Sequence, residues 1–245
     1  LSDKVLAQKY MKYFPMVAGF HAVSNAIAKE AEKYAADPGK ITVIYPAVKR
    51  KLINHEQTKK TIESDKIIII SVGRCHWKKG YTFALDAMAL LKKKDVQFHY
   101  TIIAAGRDHE HISYQIHDLG LSECVSFING LPHKEALNQL SKSDIFLLPS
   151  LEEGISNAVL EAMALGIPVI STDCGGMGEV IRNGENSFLV PVRDSESMAK
   201  TIRNFIDLDE MGKNNIIFNA RETIKQNHLL SNQINQFNSF YDRMI

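Results

Sequence analysis

Two pairs of charged residues stand where chemistry could be done. In SLEEGISNAVLEAMALGIP, residues 150–168, Glu153 precedes a glycine and Glu161 follows eight residues later, within an apolar pattern of helical spacing. In SVGRCHWKKGYT, residues 71–82, Gly73 is followed by Arg74, and Lys79 precedes a second glycine. A guanidinium offers a two-pronged fork to phosphate and an ammonium a point charge. Carboxylates accept hydrogen bonds from hydroxyls.

Spacing narrows what the two glutamates could do. A helical rise over eight residues would set their backbones roughly 12 Å apart. Paired glycosidase carboxylates stand about 5–9.5 Å apart across one bond. Two grips on one long ligand suit the wider spacing better, and a nucleotide-sugar carries hydroxyls at both ends with a diphosphate between. Ser156 or Gly154 can cap a helix that begins near Asn157 and stops at Gly166. Its N-terminus would offer N–H groups and a positive dipole end to an anion. Plainer readings stand beside these: an acid at a helix start, a solvated face residue and a basic turn. Neither G-x-x-x-x-G-K-[ST] nor G-x-G-x-x-G occurs.

The elements that must position these residues alternate along the chain. The strands are read at 66–73, 98–106, 124–130, 144–150, 167–172 and 187–192. Helical patterns fall at 81–94, 111–120, 134–143, 156–166 and 177–184, and two or three amphipathic helices are expected over 195–243. Gly120, Gly166 and Gly184 stand at expected helix stops. Apolar strands without clean alternation imply burial on both faces, hence an α/β, doubly wound, Rossmann-like parallel sheet. Ligands of such sheets bind beyond the carboxyl ends of the strands, where both charged segments fall. Ahead of this block, FPMVAGFHAV (14–23) reads as a strand, 24–36 as a helix and KITVIYP (40–46) as a strand. Residues 47–66 are polar and charge-rich, a linker or domain-edge loop.

Composition excludes several classes. A net charge of +1 does not call for a polyanion such as nucleic acid. No apolar run reaches the roughly 18–20 residues of a membrane span. Three scattered cysteines, Cys75, Cys124 and Cys174, fit neither a disulfide framework nor a zinc site, and free thiols suit a reducing cytoplasm. The chain opens on Leu1 without a signal-peptide pattern, as a fragment or processed form would. Asp108, His109, His111 and His117 read as a solvated turn and helix start rather than metal ligands. The D-x-D at Asp207–Asp209 reads as helix-end charge, Glu152 as an exposed acid, and LKKK at 91–94 as a favourable helix end. His76 and Trp77 are read either as local packing or as a ligand contact. Cys75 beside Arg74 is read as an inert thiol.

In order along the chain, VGRCHWKKG, FING, DIFLLPSLEEGISNAVLEAMALGIPVIST, GGMGEVI and NSFLVPVRD resemble the nucleotide-binding lobe of the family-four retaining glycosyltransferases, which have the two-lobed GT-B fold. The resemblance covers about 66–205 and extends towards both ends. It implies that 1–46 is a remnant of the N-terminal acceptor lobe, 47–66 a linker, 67–228 the donor lobe and 229–245 a helix crossing back. With the rest of that lobe missing, Leu229, Leu230, Ile234, Phe237 and Phe240 are expected to be partly exposed. The implied reaction is transfer of a sugar from a nucleoside-diphosphate sugar with retention, without cofactor or metal. Arg74 and Lys79, with Gly73 beside them, would hold the diphosphate, and Glu153 the sugar hydroxyls. The backbone of Gly154, Ile155, Ser156, Asn157 and Ala158 would meet sugar and phosphate, Glu161 the ribose, and Leu131 and Pro132 the base. The implied acceptor is a sugar, polysaccharide, lipopolysaccharide or lipid-linked molecule bound through the missing lobe. The implied setting is the cytoplasm or the inner face of its membrane, with peripheral membrane association of the whole enzyme as an alternative. Another reading is a non-catalytic nucleotide-sugar-binding or scaffold subunit. A third is a GT-B epimerase or phosphorylase.

Overall fold

The apolar runs become one parallel sheet. The computed structural model describes residues 4–54, 66–106 and 109–244. A small unit comes first: α1 (Lys4–Met11), β1 (Phe20–Ala22), α2 (Asn25–Glu32) and β2 (Ile41–Val43), with β1 and β2 paired in parallel. Then follow β3 (Ile67–Arg74), α3 (Tyr81–Lys92), β4 (Phe98–Ala105), α4 (Glu110–Asp118), β5 (Val125–Ile128), α5 (His133–Leu140), β6 (Ile145–Leu148), α6 (Asn157–Leu165), β7 (Val169–Thr172) and β8 (Phe188–Val190). Three helices finish the chain: α7 (Ser195–Ile206), α8 (Glu210–Asn227) and α9 (Leu230–Asp242).

The large sheet runs β5-β4-β3-β6-β7-β8, and every neighbouring pair is parallel. The chain winds outward from β3 to β5, returns to place β6 beside β3, and winds the other way. A crevice therefore opens between the carboxyl ends of β3 and β6.

Strand period two sorts the core into halves. Ile69, Tyr100, Ile102, Ile145, Leu147 and Ile170 join the cluster that α3, α4 and α7 cover. Ile70, Ile103, Phe146, Leu148 and Val169 join the opposite cluster, under α5, α6 and α8. All four residues of β6 and all four of β7 are buried. This is why their sequences are continuously apolar rather than alternating.

Several expectations change. The pattern at 177–184 forms only a 3-10 turn, Met177–Glu179, because Asn186 bends the chain back. Its side chain accepts from the Arg182 N–H and donates to the Val180 carbonyl. The strand read at 14–23 is a 3-10 turn, Phe14–Met16, followed by three strand residues, since Pro15 has no N–H to give a ladder. Within 47–54, Val48 and Ile53 are buried in the core, as a loop packed at a domain edge would be; residues 55–65 lie outside the described residues.

The last helix is less exposed than expected. Phe240 is buried because α9 lies on the small unit, and Leu229, just ahead of α9, is buried in the core cluster of the main sheet. Phe237 meets the His21 ring edge-on, and Gln233 donates to the Tyr45 carbonyl at 2.8 Å. Val48 and Leu229 form a parallel bridge, with the Val48 N–H on the His228 carbonyl and the Leu230 N–H on the Val48 carbonyl. Leu230 and Phe237 are half-buried, and Ile234 remains exposed.

The carboxyl end of α6 is closed by Gly166, at φ +77°, and by Arg221 of α8, whose Nη2 donates to the Leu165 carbonyl at 2.9 Å. A cation there complements the helix dipole. Arg221→Ala is expected to lower stability by about 1–2 kcal/mol, read as a lower urea midpoint at unchanged slope.

Candidate functional site

Both charged segments meet at the crevice. The loop after β3 makes a 3-10 turn, Trp77–Lys79, started by the His76 ring, which accepts from the Lys78 N–H. The loop after β6 runs beside it. The Leu151 N–H donates to the Lys78 carbonyl at 2.7 Å, which ties the two loops together. Gly80, at φ +62°, lets them approach: a Cβ there would stand 2.1 Å from the Pro149 carbonyl oxygen.

Two ion pairs close this seam. Lys78 Nζ lies 2.7 Å from Glu152, which is exposed as expected and also paired. Lys79 Nζ lies 2.5 Å from Glu153 Oε1, and these side chains are only 17% and 13% exposed. Ser150 Oγ donates to the same oxygen at 2.7 Å. Oε2 of Glu153 has no hydrogen-bond partner among the described residues, so it can meet a ligand. Gly73 has no side chain in the path of Lys79: a Cβ would come within 3.2 Å of Lys79 Cε and 2.8 Å of the Tyr81 hydroxyl. Burial pushes the Tyr81 phenol far above its ordinary pKa, so it stays protonated beside the pair. Arg74 ends β3 with an exposed side chain that makes no ion pair with a described residue.

Helix α6 starts where the sequence places it. Ser156 is its N-cap residue, but its side chain makes no capping bond. Gly154 is not the cap. The first-turn N–H groups of Asn157 and Ala158 are therefore not taken up by a side-chain cap. Ile155 and Ser156 are buried, while Asn157 is exposed.

Glu161 stands apart from the seam. Its Oε1 lies 2.7 Å from His133 Nε2, in the first turn of α5. The two flank a groove of about 350 Å³, which Lys49, Lys51, Lys134 and Asn157 also line. Leu131 is half-buried against the core, and exposed Pro132 is the N-cap of α5, directly before His133; neither lines the groove itself. Sequence reasoning missed Lys49, Lys51 and His133. The two lysines are far from the motifs, and His133 had only its position after Pro132 to mark it.

The other candidates find ordinary places. His109 stacks on Phe127 at 5.5 Å, whereas His111 and His117 are exposed, and Asp108 lies outside the described residues. Asp209 caps α8 through the Gly212 N–H at 2.8 Å, and Asp207 ends α7. Lys92 Nζ reaches the Gly120 carbonyl at 2.5 Å. Trp77 is 60% exposed, with Lys78 over its ring. Cys75 is buried. Burial pushes the Cys174 thiol up to about 11 and raises Cys124 as well. Among the described residues no three His, Cys, Asp or Glu side chains form a group that could hold a metal, and no helix is long and apolar enough to cross a membrane.

Comparison with known proteins identifies the family and the fold. Residues 53–223 match the family described as glycosyl transferases group 1. The Salmonella typhimurium protein WcaL, named as a colanic acid biosynthesis glycosyltransferase, is 31% identical over 83% of this chain and 51% of its own. The amylovoran biosynthesis glycosyltransferase AmsK of Erwinia amylovora is 38% identical over 54% of this chain and 34% of its own. The chain thus spans about half or less of the curated relatives it matches. Among solved structures, a Rickettsia africae glycosyltransferase superposes with a TM-score of 0.84 at 23% identity, over 96% of this chain and 67% of the other. Anabaena HepE, solved with UDP-glucose, gives 0.85 at 20% identity, over 96% and 68%. These two show a shared GT-B architecture with its Rossmann-like lobe. On the family match, the chain belongs to the group 1 glycosyl transferases.

Proposed function

We propose that this chain is the donor-binding half of a retaining glycosyltransferase that takes a nucleoside-diphosphate sugar, a UDP-sugar in the first instance. The observation that carries the reading is the Lys79–Glu153 pair at the switch point, between a cation-bearing loop and a helix N-terminus. Lys79 and Arg74 meet the diphosphate and stabilise its departure, with the N–H groups at the start of α6. Glu153 turns its remaining oxygen to the sugar hydroxyls, and residues 154–158 line the sugar and phosphate. Glu161 accepts from the ribose, and Leu131 and Pro132 flank the base. The phosphate charge is met by these groups, so the reading needs no divalent metal, and the family resemblance implies no covalent enzyme nucleophile.

In this reading residues 1–46 belong to the acceptor lobe, 47–66 cross to the donor lobe at 67–228, and 229–245 return. The separate two-stranded sheet and the seat of α9 upon it support that division. The acceptor in this reading is a growing polysaccharide, lipopolysaccharide or lipid-linked sugar; the names of WcaL and AmsK, for colanic acid and amylovoran biosynthesis, support the first of these. Titration with UDP, GDP and ADP tests the donor site. One of them is expected to bind, and Arg74→Ala to weaken it about tenfold or more through the lost charge-assisted bonds. Failure of all three to bind at millimolar concentration would remove the reading.

A further inference from the structure

Glu179 belongs to none of the roles above, yet it is among the most heavily hydrogen-bonded carboxylates here. Its Oε1 accepts from the Ala26 N–H at 2.9 Å. Its Oε2 accepts from the Asn25 N–H and side-chain amide, both at 2.8 Å, and from the Tyr45 hydroxyl at 3.0 Å. All these donors lie in the small first unit, about 130 residues or more away in sequence. Burial by itself would raise the carboxyl's pKa, but the four bonds outweigh it and hold the group below its ordinary value. Ser24, fully buried, caps the next amide, Ile27, at 3.1 Å. Side chains thus take up the first three N–H groups of α2, two of them through Glu179.

The clamp reaches the candidate site through backbone contacts. Glu179 ends the turn that follows Gly175 and Gly176. The Gly176 N–H donates to the Gly154 carbonyl at 2.7 Å. A Cβ on Gly176 would stand 2.5 Å from that oxygen and 2.5 Å from Ser24 Cβ. A Cβ on Gly154 would stand 2.6 Å from Val23 Cγ2, and one on Gly175 1.7 Å from the Glu153 carbonyl oxygen. Residues 23–26, 153–154 and 175–179 therefore interlock without space for side chains between them, and Glu179 is the carboxylate that bolts them.

We propose that Glu179 is a positioning residue: it latches the start of α2 onto the loop that carries Glu153 and so fixes the sugar end of the donor site. This rests on the transferase reading for the ligand, but not for the latch itself. Release of Glu179 would free residues 23–26, loosen Gly176 against Gly154, and let Glu153 drift from the sugar, while Arg74 and Glu161 keep their places.

The test uses the whole 245-residue chain with Glu179→Ala and the milder Glu179→Gln, which keeps one accepting oxygen. Amide hydrogen exchange is followed at Asn25, Ala26 and Gly176, and UDP and UDP-glucose affinities are measured by calorimetry. In Glu179→Ala all three amides are expected to exchange about tenfold or more faster, in keeping with loss of bonds to a charged acceptor. UDP affinity should change less than about twofold, and the ratio of UDP-glucose to UDP affinity should shift about tenfold against the sugar. Glu179→Gln should fall between, and stands in if the alanine variant does not fold. Unchanged protection at Gly176 would overturn the latch. Equal losses for UDP and UDP-glucose would overturn its role at the sugar end. If the wild-type chain binds neither nucleotide, the donor-site reading and the role at the sugar end both fail, while exchange at Gly176 still decides the latch.

Discussion

Lys79→Ala is expected to destabilise the chain by about 2–3 kcal/mol and to weaken UDP binding by about 10- to 100-fold. Both effects come from one geometry. The Lys79 and Glu153 side chains are 17% and 13% exposed, and their 2.5 Å contact gives Glu153 a cation in a place where water is scarce. Removing one partner of a fully buried pair costs about 3–5 kcal/mol because the other charge is orphaned. The residual exposure and the Ser150 hydroxyl lower that figure here. Glu153→Gln in the Lys79→Ala background removes the orphaned charge, and is expected to regain about 1 kcal/mol. Urea midpoints of the two single variants and the double variant measure this. If the double variant is as unstable as Lys79→Ala, the loss lies in the packing of the lysine stem and the ion-pair account fails. UDP affinity is read separately, since Arg74 remains to hold the diphosphate.

The sheet was legible because its physics is local. Unbroken apolar runs such as IIIISV and DIFLLP, short and bounded by polar or turn residues, suit strands covered by helices, and the glycines at 120 and 166 stop helices by taking left-handed backbone, at φ +66° and +77°. The crevice was legible because residues just after strands must gather at the carboxyl edge. The pairing within it was not. Lys79 and Glu153 are 74 residues apart, and nothing in either segment says that they touch. The doubled glycine at 175–176 stood inside a quoted motif, but its purpose is a close approach to Glu153, Gly154 and Ser24, which only the folded chain reveals. The pattern at 177–184 misled for the same reason: its apolar residues Met177, Val180 and Ile181 are buried at helical spacing, but by a turn that Asn186 holds. Lys49 and Lys51 reach the groove from a segment with no motif, and His133 from just beyond FING and Pro132.

Glu161→Ala is expected to weaken free UDP by about tenfold, whereas Glu153→Ala should leave UDP within about threefold and act on the sugar. The two carboxylates stand on different partners, and this is what separates their roles. Glu153 faces Lys79 and Ser150 at the crevice mouth, where the sugar and diphosphate would meet. Glu161 faces His133 across the groove that Lys49 and Lys51 line, where a nucleoside would lie. A carboxylate that accepts from a ribose contributes to every nucleotide, with or without sugar, so its loss appears in UDP itself. A carboxylate that grips only the sugar is silent in UDP and appears in the difference between UDP-glucose and UDP. One complication has a known sign: Glu153→Ala also frees Lys79 from its partner, and a freed cation binds diphosphate more tightly, so UDP affinity should hold or rise rather than fall. Calorimetric titration of both variants with both ligands resolves the two effects. Equal losses of UDP affinity in Glu153→Ala and Glu161→Ala would contradict the division, and would place both carboxylates on the nucleotide.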